Sequence, residues 1–416
     1  MAGNGLKALP YRSVKMRNVS DAIALDAPHP VERLGLEQAG ALALFAMAGA
    51  VQFSIAAAQI LLAIALTCWI ILLVVRRERF DAPSFFWPLL AYGAATLVSA
   101  ALSPDPRASL AGPGKQLVLF LLVPLVFRFV NAPRGHTLLT VVLTCAAISA
   151  VFGIVQYGIL HYDNLGQRPQ GTLGHWMTYS GLLMIVIGVA AARVLFGRSD
   201  RTWALLVLPA LGVAVAVTFT RGAAVGACAA IAMLFAMKDF RLFAIVPILA
   251  AVFIMVAPGQ ISKRYASMFN MNDPTVRDRV TMLHIGERMI AAHPLTGVGP
   301  NMVQRLYVDF RGSDSLVGPD GVTHINPHLH NDFLQIAAER GLPALALWLW
   351  FIVALLRDLW TRLNGAQRAL AASAVAAVVA LLTAGLFEYN FGDSEVLMLF
   401  LTIVTLPAAA DRPPSA

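Results

Sequence analysis

Long apolar runs, separated by short polar breaks, make up most of the chain. A helix needs about 20 apolar residues to cross the hydrocarbon core of a bilayer, and the runs predict about twelve spans. They cover 37–52, 55–75, 84–102, 116–131, 137–158, 175–196, 202–219, 222–237, 242–257, 342–356, 367–387 and 394–410. Between the first two runs, Gln52, Ser54 and Gln59 mark either a tight turn or buried polar positions. The pattern predicts an all-α polytopic membrane protein.

One long segment, residues 258–341, is rich in Asp, Arg, His, Asn, Gly and Pro. The spacing of its apolar residues predicts a helix over Thr275–Ala292, which the following His-Pro pair ends. A Gly-rich turn follows at Gly297–Pro300. A second helix is expected to start near Asn326 or Pro327 and to stop at Gly341. We therefore expect a large extramembrane loop that contains helices.

The distribution of lysine and arginine predicts the orientation. With the N-terminus inside and alternating spans, nineteen basic residues lie inside and four lie in the short outer loops. This asymmetry fits the positive-inside rule and an even number of spans, so both termini are expected to be cytoplasmic. The predicted order is a cytoplasmic tail (1–33, without signal-peptide features), helices 1–9 (34–257), a periplasmic loop (258–341), helices 10–12 (342–410) and a cytoplasmic tail (411–416).

Composition supports this interpretation. Of 416 residues, 58% are apolar and 13% are charged, and the mean hydropathy is +0.70. These values exclude an ordinary cytosolic enzyme, a disordered chain and a nucleic-acid binder, since a soluble domain is about 25% charged. Much of the net charge of +8 then serves orientation. The three cysteines lie far apart in apolar runs and are expected to be small core residues.

Histidines concentrate on the predicted outer side. Only His29 and His136 of nine histidines fall inside. Imidazole is the usual proton-transfer group near neutral pH, so a reaction centre on the outer side is one interpretation, and ordinary loop polarity is the other. The cluster from His324 to Asp332 also allows a metal site. If His328 and His330 lay on one helix they would point about 200° apart, which argues against a shared ion.

Arginines provide a second signal. Arg221 lies between two apolar runs, at or near the membrane surface, where it either binds an anion or reaches the lipid headgroups. A guanidinium held in one position can bind a phosphate with two parallel hydrogen bonds. The 275–292 helix adds Arg277, Arg279 and Arg288, either as solvated charges or as part of an anion-binding funnel. An amphiphile with a diphosphate head and a lipid tail would suit this position.

Three local patterns, in this order, resemble the O-antigen ligase and polymerase superfamily of bacterial membrane glycosyltransferases. The first is Thr218–Ala224 (TFTRGAA). The second is Arg279 followed by Met289–Gly299 (MIAAHPLTGVG), and the third is His330–Pro343 (HNDFLQIAAERGLP). The similarity extends over roughly residues 170–400 and includes the closing Phe387–Asp393. The sequence departs from the family pattern where Thr220 replaces a serine and Leu283 an aromatic residue.

The resemblance implies a GT-C-like membrane glycosyltransferase in the bacterial inner membrane, with its active site facing the periplasm. Its transfer would be inverting and metal-independent, with no cofactor. The donor would be a glycan on undecaprenyl diphosphate, and the acceptor of the ligase branch would be a hydroxyl of the lipid A core oligosaccharide. Membrane lipids are the other expected partners.

The resemblance also implies roles for individual residues. His330 would be the general base, and Arg221 and Arg279 would neutralise the departing diphosphate. Arg277 and Arg288 are further candidates for binding the same anion. Asn331 and Glu339 would bind substrate or position the base and its helix.

Three alternatives remain open from the sequence. An O-antigen polymerase or a protein O-oligosaccharyltransferase of the same superfamily would have the same donor chemistry. A flippase for lipid-linked glycans belongs to another class, and it would carry ionisable groups deep within several spans. The apolar runs here are nearly free of charge.

Overall fold

The computed structural model describes residues 35–197, 201–256, 259–270, 272–314, 316–317, 321 and 324–412. The predicted N-terminal tail and the last four residues of the C-terminal tail lie outside this part of the chain. The described residues form seventeen α-helices joined by turns and short 3-10 segments.

The first eleven helices hold the predicted spans of the N-terminal half. They are α1 (Leu36–Ala50), α2 (Ile55–Val75), α3 (Phe86–Ala101), α4 (Pro106–Ala111), α5 (Pro113–Leu119), α6 (Leu122–Phe129), α7 (Ala132–Gly158), α8 (Trp176–Phe196), α9 (Arg201–Val217), α10 (Arg221–Lys238) and α11 (Ile245–Val256). Gln52 is buried in the turn between α1 and α2, and the Ser54 hydroxyl caps α2. The tight turn is therefore confirmed for Gln52 and Ser54, and Gln52 is a buried polar residue as well, whereas Gln59 lies exposed within α2 and fits neither interpretation.

Residues 259–331 form the polar segment, which is followed by three longer helices. The polar segment contains α12 (Gly259–Ala266), α13 (Pro274–Ala292) and α14 (Val303–Phe310). The remaining helices are α15 (Asp332–Arg362), α16 (Arg368–Ala384) and α17 (Ser394–Ala410). Helix α13 matches the predicted helix within one residue at its start.

The start of α15 corrects the sequence prediction. The helix was expected near Asn326, but it begins at Asp332 because Asn331 is itself a strong N-cap residue. Its side-chain oxygen accepts a hydrogen bond of 2.9 Å from the Leu334 amide. His328 and His330 therefore precede the helix, and the argument from their helical spacing does not apply. The predicted stop at Gly341 appears as a break within α15, where Gly341 has a φ of 82°.

Within the described residues, six helical stretches are long and apolar enough to cross a membrane, and one of them, Pro106–Phe129, comprises α4, α5 and α6. Five more helices are apolar with 10–17 residues. The 116–131 run is broken between α5 and α6, and α11 covers only 12 residues. The structure is that of an all-helical membrane protein, while the number of about twelve spans stays a prediction.

Helix α8 is almost fully buried and packs against α9, α10 and α16. Small residues allow the close contact with α16, since a Cβ on Gly188 would lie 3.0 Å from the Ala376 Cβ. Helix α2 instead exposes Ile60, Ile64 and Ile71 along one face, as expected for a surface that faces lipid. For the same reason Cys228, predicted to be a core residue, is exposed on α10.

Candidate functional site

A cavity of about 420 Å³ lies where α10 and α15 begin, beside α13 and the loop after α16. Its polar lining residues include Arg221, Arg279, His330 and Asn331. Most of the remaining wall is apolar (Val225, Met268, Val276, Val280, Leu283, Leu329, Leu334, Leu386 and Phe387). The three predicted catalytic residues, which lie on three separate stretches of sequence, therefore share one cavity.

Arg221 occupies the first turn of α10 and is only 7% exposed. One guanidinium nitrogen donates to the Ser267 hydroxyl at 3.1 Å and the other to the Asp273 carboxylate at 3.2 Å. These contacts fix the plane of the guanidinium. The first turn of a helix also has backbone N–H groups without intrahelical partners, and Gly222 of this turn lines the cavity. Both features favour an anion here.

Glu388 connects His330 with Arg279. One carboxylate oxygen accepts a hydrogen bond from Nη2 of Arg279, and the other lies 2.8 Å from Nδ1 of His330. Burial opposes ionisation of Glu388, but the hydrogen bond from His330 and the positive charge of Arg279 outweigh it, so its pKa is lowered. An ionised carboxylate only accepts hydrogen bonds, so Nδ1 of His330 donates. In the neutral imidazole, Nε2 then has the free lone pair.

The position of His330 is fixed by its neighbours. Its backbone is left-handed, with a φ of 48°, a conformation that costs energy and is held by its surroundings. The next residue, Asn331, caps α15 and also donates a hydrogen bond of 3.0 Å to the Leu386 carbonyl. Asn331 thus ties the start of α15 to the loop that carries Glu388. Its side-chain contacts are those of a positioning residue.

The charges near the cavity are mainly positive. Arg168 and Arg264 lie near Arg221 and Arg279, and the nearby carboxylates are Asp273 and Glu388. Burial, followed by the charges of Arg221 and Arg168, lowers the pKa of Arg264 to about 10. A cluster with more guanidinium groups than carboxylates attracts a multiply charged anion.

His328 packs beside His330, with ring centroids 4.2 Å apart. Burial, followed by the charge of His330, lowers the pKa of His328 to about 4, so this ring is neutral at neutral pH. Within the described residues, no group of three or more His, Cys, Asp or Glu side chains is arranged to hold a metal ion.

Three of the predicted substrate-binding residues do not line the cavity. Arg277 is exposed on another face of α13. Arg288 forms an ion pair of 2.7 Å with Asp314 and donates to the Phe310 carbonyl at 3.1 Å. Glu339 is buried, accepts a hydrogen bond from the Asn301 amide at 2.9 Å and pairs with Arg340 at 2.8 Å.

The Gly-rich turn explains the position of Glu339. Because α15 breaks at Gly341, the carbonyls of Ala338 and Glu339 are available to accept hydrogen bonds from the amides of Val298 and Gly299, at 2.9 and 2.8 Å. Gly297 has a φ of 67°, and a Cβ there would overlap the Glu339 backbone. The second and third sequence patterns therefore dock on each other and hold α13 beside the start of α15.

Comparison with known families connects this geometry to a known class. Residues 204–349 match the sequence profile of the family described as O-Antigen ligase. The match confirms the resemblance to the O-antigen ligase and polymerase superfamily over this part of the chain. The match covers Arg221, Arg279 and His330 but ends before Glu388. No curated protein matches the chain significantly.

Members of the O-antigen ligase family are glycosyltransferase-like enzymes that act on lipid-linked glycans. Together with the apolar helices, the family indicates a multi-pass membrane protein. Glu388 lies in the closing stretch Phe387–Asp393 but is not among the predicted site residues. The available signal was a single acidic residue directly after an apolar run, on the side where His330 was expected.

Proposed function

We propose that this protein is an O-antigen ligase. It would transfer a glycan from undecaprenyl diphosphate to a hydroxyl of the lipid A core oligosaccharide, at the periplasmic face of the inner membrane. The observation that carries the proposal is the convergence of His330, oriented by Glu388, with Arg221 and Arg279 in one cavity. The family match supports the same class of reaction.

His330 would act as the general base. With Nδ1 donating to Glu388, Nε2 removes the proton from the acceptor hydroxyl. The acceptor oxygen forms a bond to the anomeric carbon of the donor sugar, from the face opposite the diphosphate. The bond between that carbon and the diphosphate oxygen breaks, and the electron pair leaves with the diphosphate. The anomeric configuration is inverted, and the proton held by His330 is later released to water.

The arginines would stabilise the leaving group. Negative charge grows on the diphosphate as its bond to the sugar breaks, and fixed guanidinium groups stabilise that charge without reorganising. Arg221 is already held in place by Ser267 and Asp273. Charge neutralisation of this kind is the task that a divalent cation performs in other phosphate chemistry. It supports the proposal of metal-independent transfer, with no cofactor required.

The apolar part of the cavity suits the lipid carrier. Val280, Leu283 and Phe387 lie in the wall and are each partly exposed. Such a wall favours the first isoprene units next to the diphosphate. A flippase would need a polar path to both faces, whereas the polar groups described here collect at one end of the helix bundle. The further roles of Arg277 and Arg288 in substrate binding stay predictions.

The purified protein in proteoliposomes should be offered lipid-linked glycan with three acceptors in separate reactions: lipid A core, a second lipid-linked glycan, and a pilin. We expect transfer to the lipid A core alone. Growth of the lipid-linked glycan would indicate a polymerase, and modified pilin would indicate a protein O-oligosaccharyltransferase. Movement of the donor across the bilayer without transfer would indicate a flippase.

Substitution of the base provides the second test. His330→Ala is expected to lower the transfer rate by about 100-fold or more, the usual contribution of a general base. His284→Ala is the matched control, because His284 lies on α13 outside the cavity, 3.7 Å from Asp314. A normal rate in His330→Ala would refute the assignment of the base.

A further inference from the structure

Glu388 holds two groups that the proposed reaction uses at the same time. One oxygen bonds Arg279 and the other lies 2.8 Å from Nδ1 of His330. The residue is only 4% exposed, so water screens its charge weakly. Within the described residues, Arg279 and His330 are the side chains that hydrogen-bond to it. A single buried carboxylate is therefore shared between a phosphate-binding candidate and the proposed base.

We propose that Glu388 couples donor binding to proton removal, because an anion that takes over Arg279 leaves the carboxylate to stabilise the His330 imidazolium. This inference rests on the proposed function. While Arg279 is paired with Glu388, its positive charge offsets the carboxylate beside His330. A diphosphate offers Arg279 other acceptors and neutralises that charge. The positive charge that His330 gains in the reaction then lies against a carboxylate whose contacting cation is already neutralised by the diphosphate.

The surroundings of Glu388 make Arg279 the decisive neighbour. His328 and His330 precede α15, Arg168 comes from the loop before α8, and each interacts electrostatically with Glu388. Asp332, at the start of α15, also interacts electrostatically with the Glu388 carboxylate. Of these groups, His328 is neutral because burial and the charge of His330 lower its pKa. Arg279 is the contacting cation that a bound diphosphate would also reach from the shared cavity.

Arg221 provides a useful contrast. Its partner Asp273 also occupies one guanidinium nitrogen, at 3.2 Å. The Asp273 carboxylate accepts a hydrogen bond from the Thr275 amide at the start of α13, and no contact between Asp273 and His330 appears in the described structure. Both carboxylates therefore compete with an anion for an arginine, but only Glu388 also contacts the base. The coupling belongs to Glu388 alone.

The test compares diphosphate affinity with turnover in the Glu388→Gln variant of the full-length protein. Inorganic diphosphate binding is measured by calorimetry in nanodiscs, and kcat is measured with lipid-linked glycan. Removing the competing charge is expected to tighten diphosphate binding by about tenfold. At the same time kcat is expected to fall by about 100-fold, since the imidazolium loses its carboxylate. Glu287→Gln is the control, because Glu287 is exposed on α13 outside this cavity.

Opposite changes in affinity and turnover are not expected from a purely structural residue. Unchanged or weaker diphosphate binding would overturn the coupling, and so would tighter binding with a normal kcat. If Glu388→Gln does not accumulate in the membrane, Glu388→Asp replaces it. The shorter aspartate side chain cannot reach both Arg279 and His330, so diphosphate affinity and kcat are expected to change in the same directions by smaller factors. An inactive wild-type protein with every acceptor would overturn the proposed function itself. An active wild type with unaltered affinity in the variant overturns the coupling alone.

Discussion

Replacing Arg221 by lysine keeps the positive charge and removes the planar guanidinium. Arg221 donates from two nitrogens to two fixed oxygens, on Ser267 at 3.1 Å and on Asp273 at 3.2 Å. An ammonium group is a single point with tetrahedral donors. It cannot reach both oxygens and still present two parallel donors to a phosphate. Arg221→Lys therefore separates the contribution of geometry from that of charge.

The size of the effect follows from the hydrogen bonds that are lost. A hydrogen bond to a charged group contributes about 1.5–3 kcal/mol. Losing one such bond to the diphosphate in the transition state lowers the rate by about 10- to 100-fold. Because Arg221 is only 7% exposed, water does not readily replace the missing donor. We expect kcat/KM for the lipid-linked donor to fall within this range.

The assay is glycan transfer in proteoliposomes, with kcat/KM determined from the dependence on donor concentration. Arg305→Lys is the matched control, because Arg305 of α14 forms an exposed ion pair of 2.7 Å with Asp105 at the start of α4, outside the cavity. Water screens an exposed ion pair strongly, so this variant should keep its rate. A fully active Arg221→Lys variant would refute the two-donor argument and would favour an arginine that reaches the lipid headgroups.

Three further predictions concern stability, measured by thermal unfolding in detergent. Gly297→Ala should destabilise the protein by more than about 1 kcal/mol because its Cβ would overlap the Glu339 backbone, whereas Gly321→Ala, with a similar positive φ and open space, should cost less. Glu339→Ala should lower the free energy of unfolding by about 3–5 kcal/mol because the buried Arg340 loses its carboxylate partner. If Glu339→Ala were less destabilising than Glu339→Gln, this reason would be wrong. Burial, followed by the charge of His330, lowers the pKa of His328 to about 4. Between that pH and about 6.5, the unfolded chain therefore binds more protons than the folded protein. The free energy of unfolding should fall as the pH is lowered through this range. His328→Asn should flatten this dependence, and an unchanged pH profile would contradict the assignment.

The sequence alone predicted the class of protein and the three proposed catalytic positions. Apolar runs of span length reveal membrane helices because the bilayer requires nearly continuous apolar stretches, a signal that is local in the chain. Helix α13 was predicted closely for a similar reason, since its start and end depend on adjacent prolines. The start of α15 was predicted too early, near Asn326, because an asparagine can cap a helix at either 326 or 331. The hydrogen bond from the Leu334 amide to the Asn331 side chain shows that Asn331 is the cap.

The tertiary structure decided which residues share the cavity and which support it. Glu388 lies 58 positions from His330, and their contact depends on the packing of α10, α15 and α16, which no local pattern encodes. Glu339 and His330 belong to one sequence pattern, yet one is buried beneath the Gly-rich turn and the other faces the cavity. The sequence specifies which residue types are present and how far apart they lie along the chain. The folded helices determine the distances between them, and electrostatic and hydrogen-bond interactions depend on those distances.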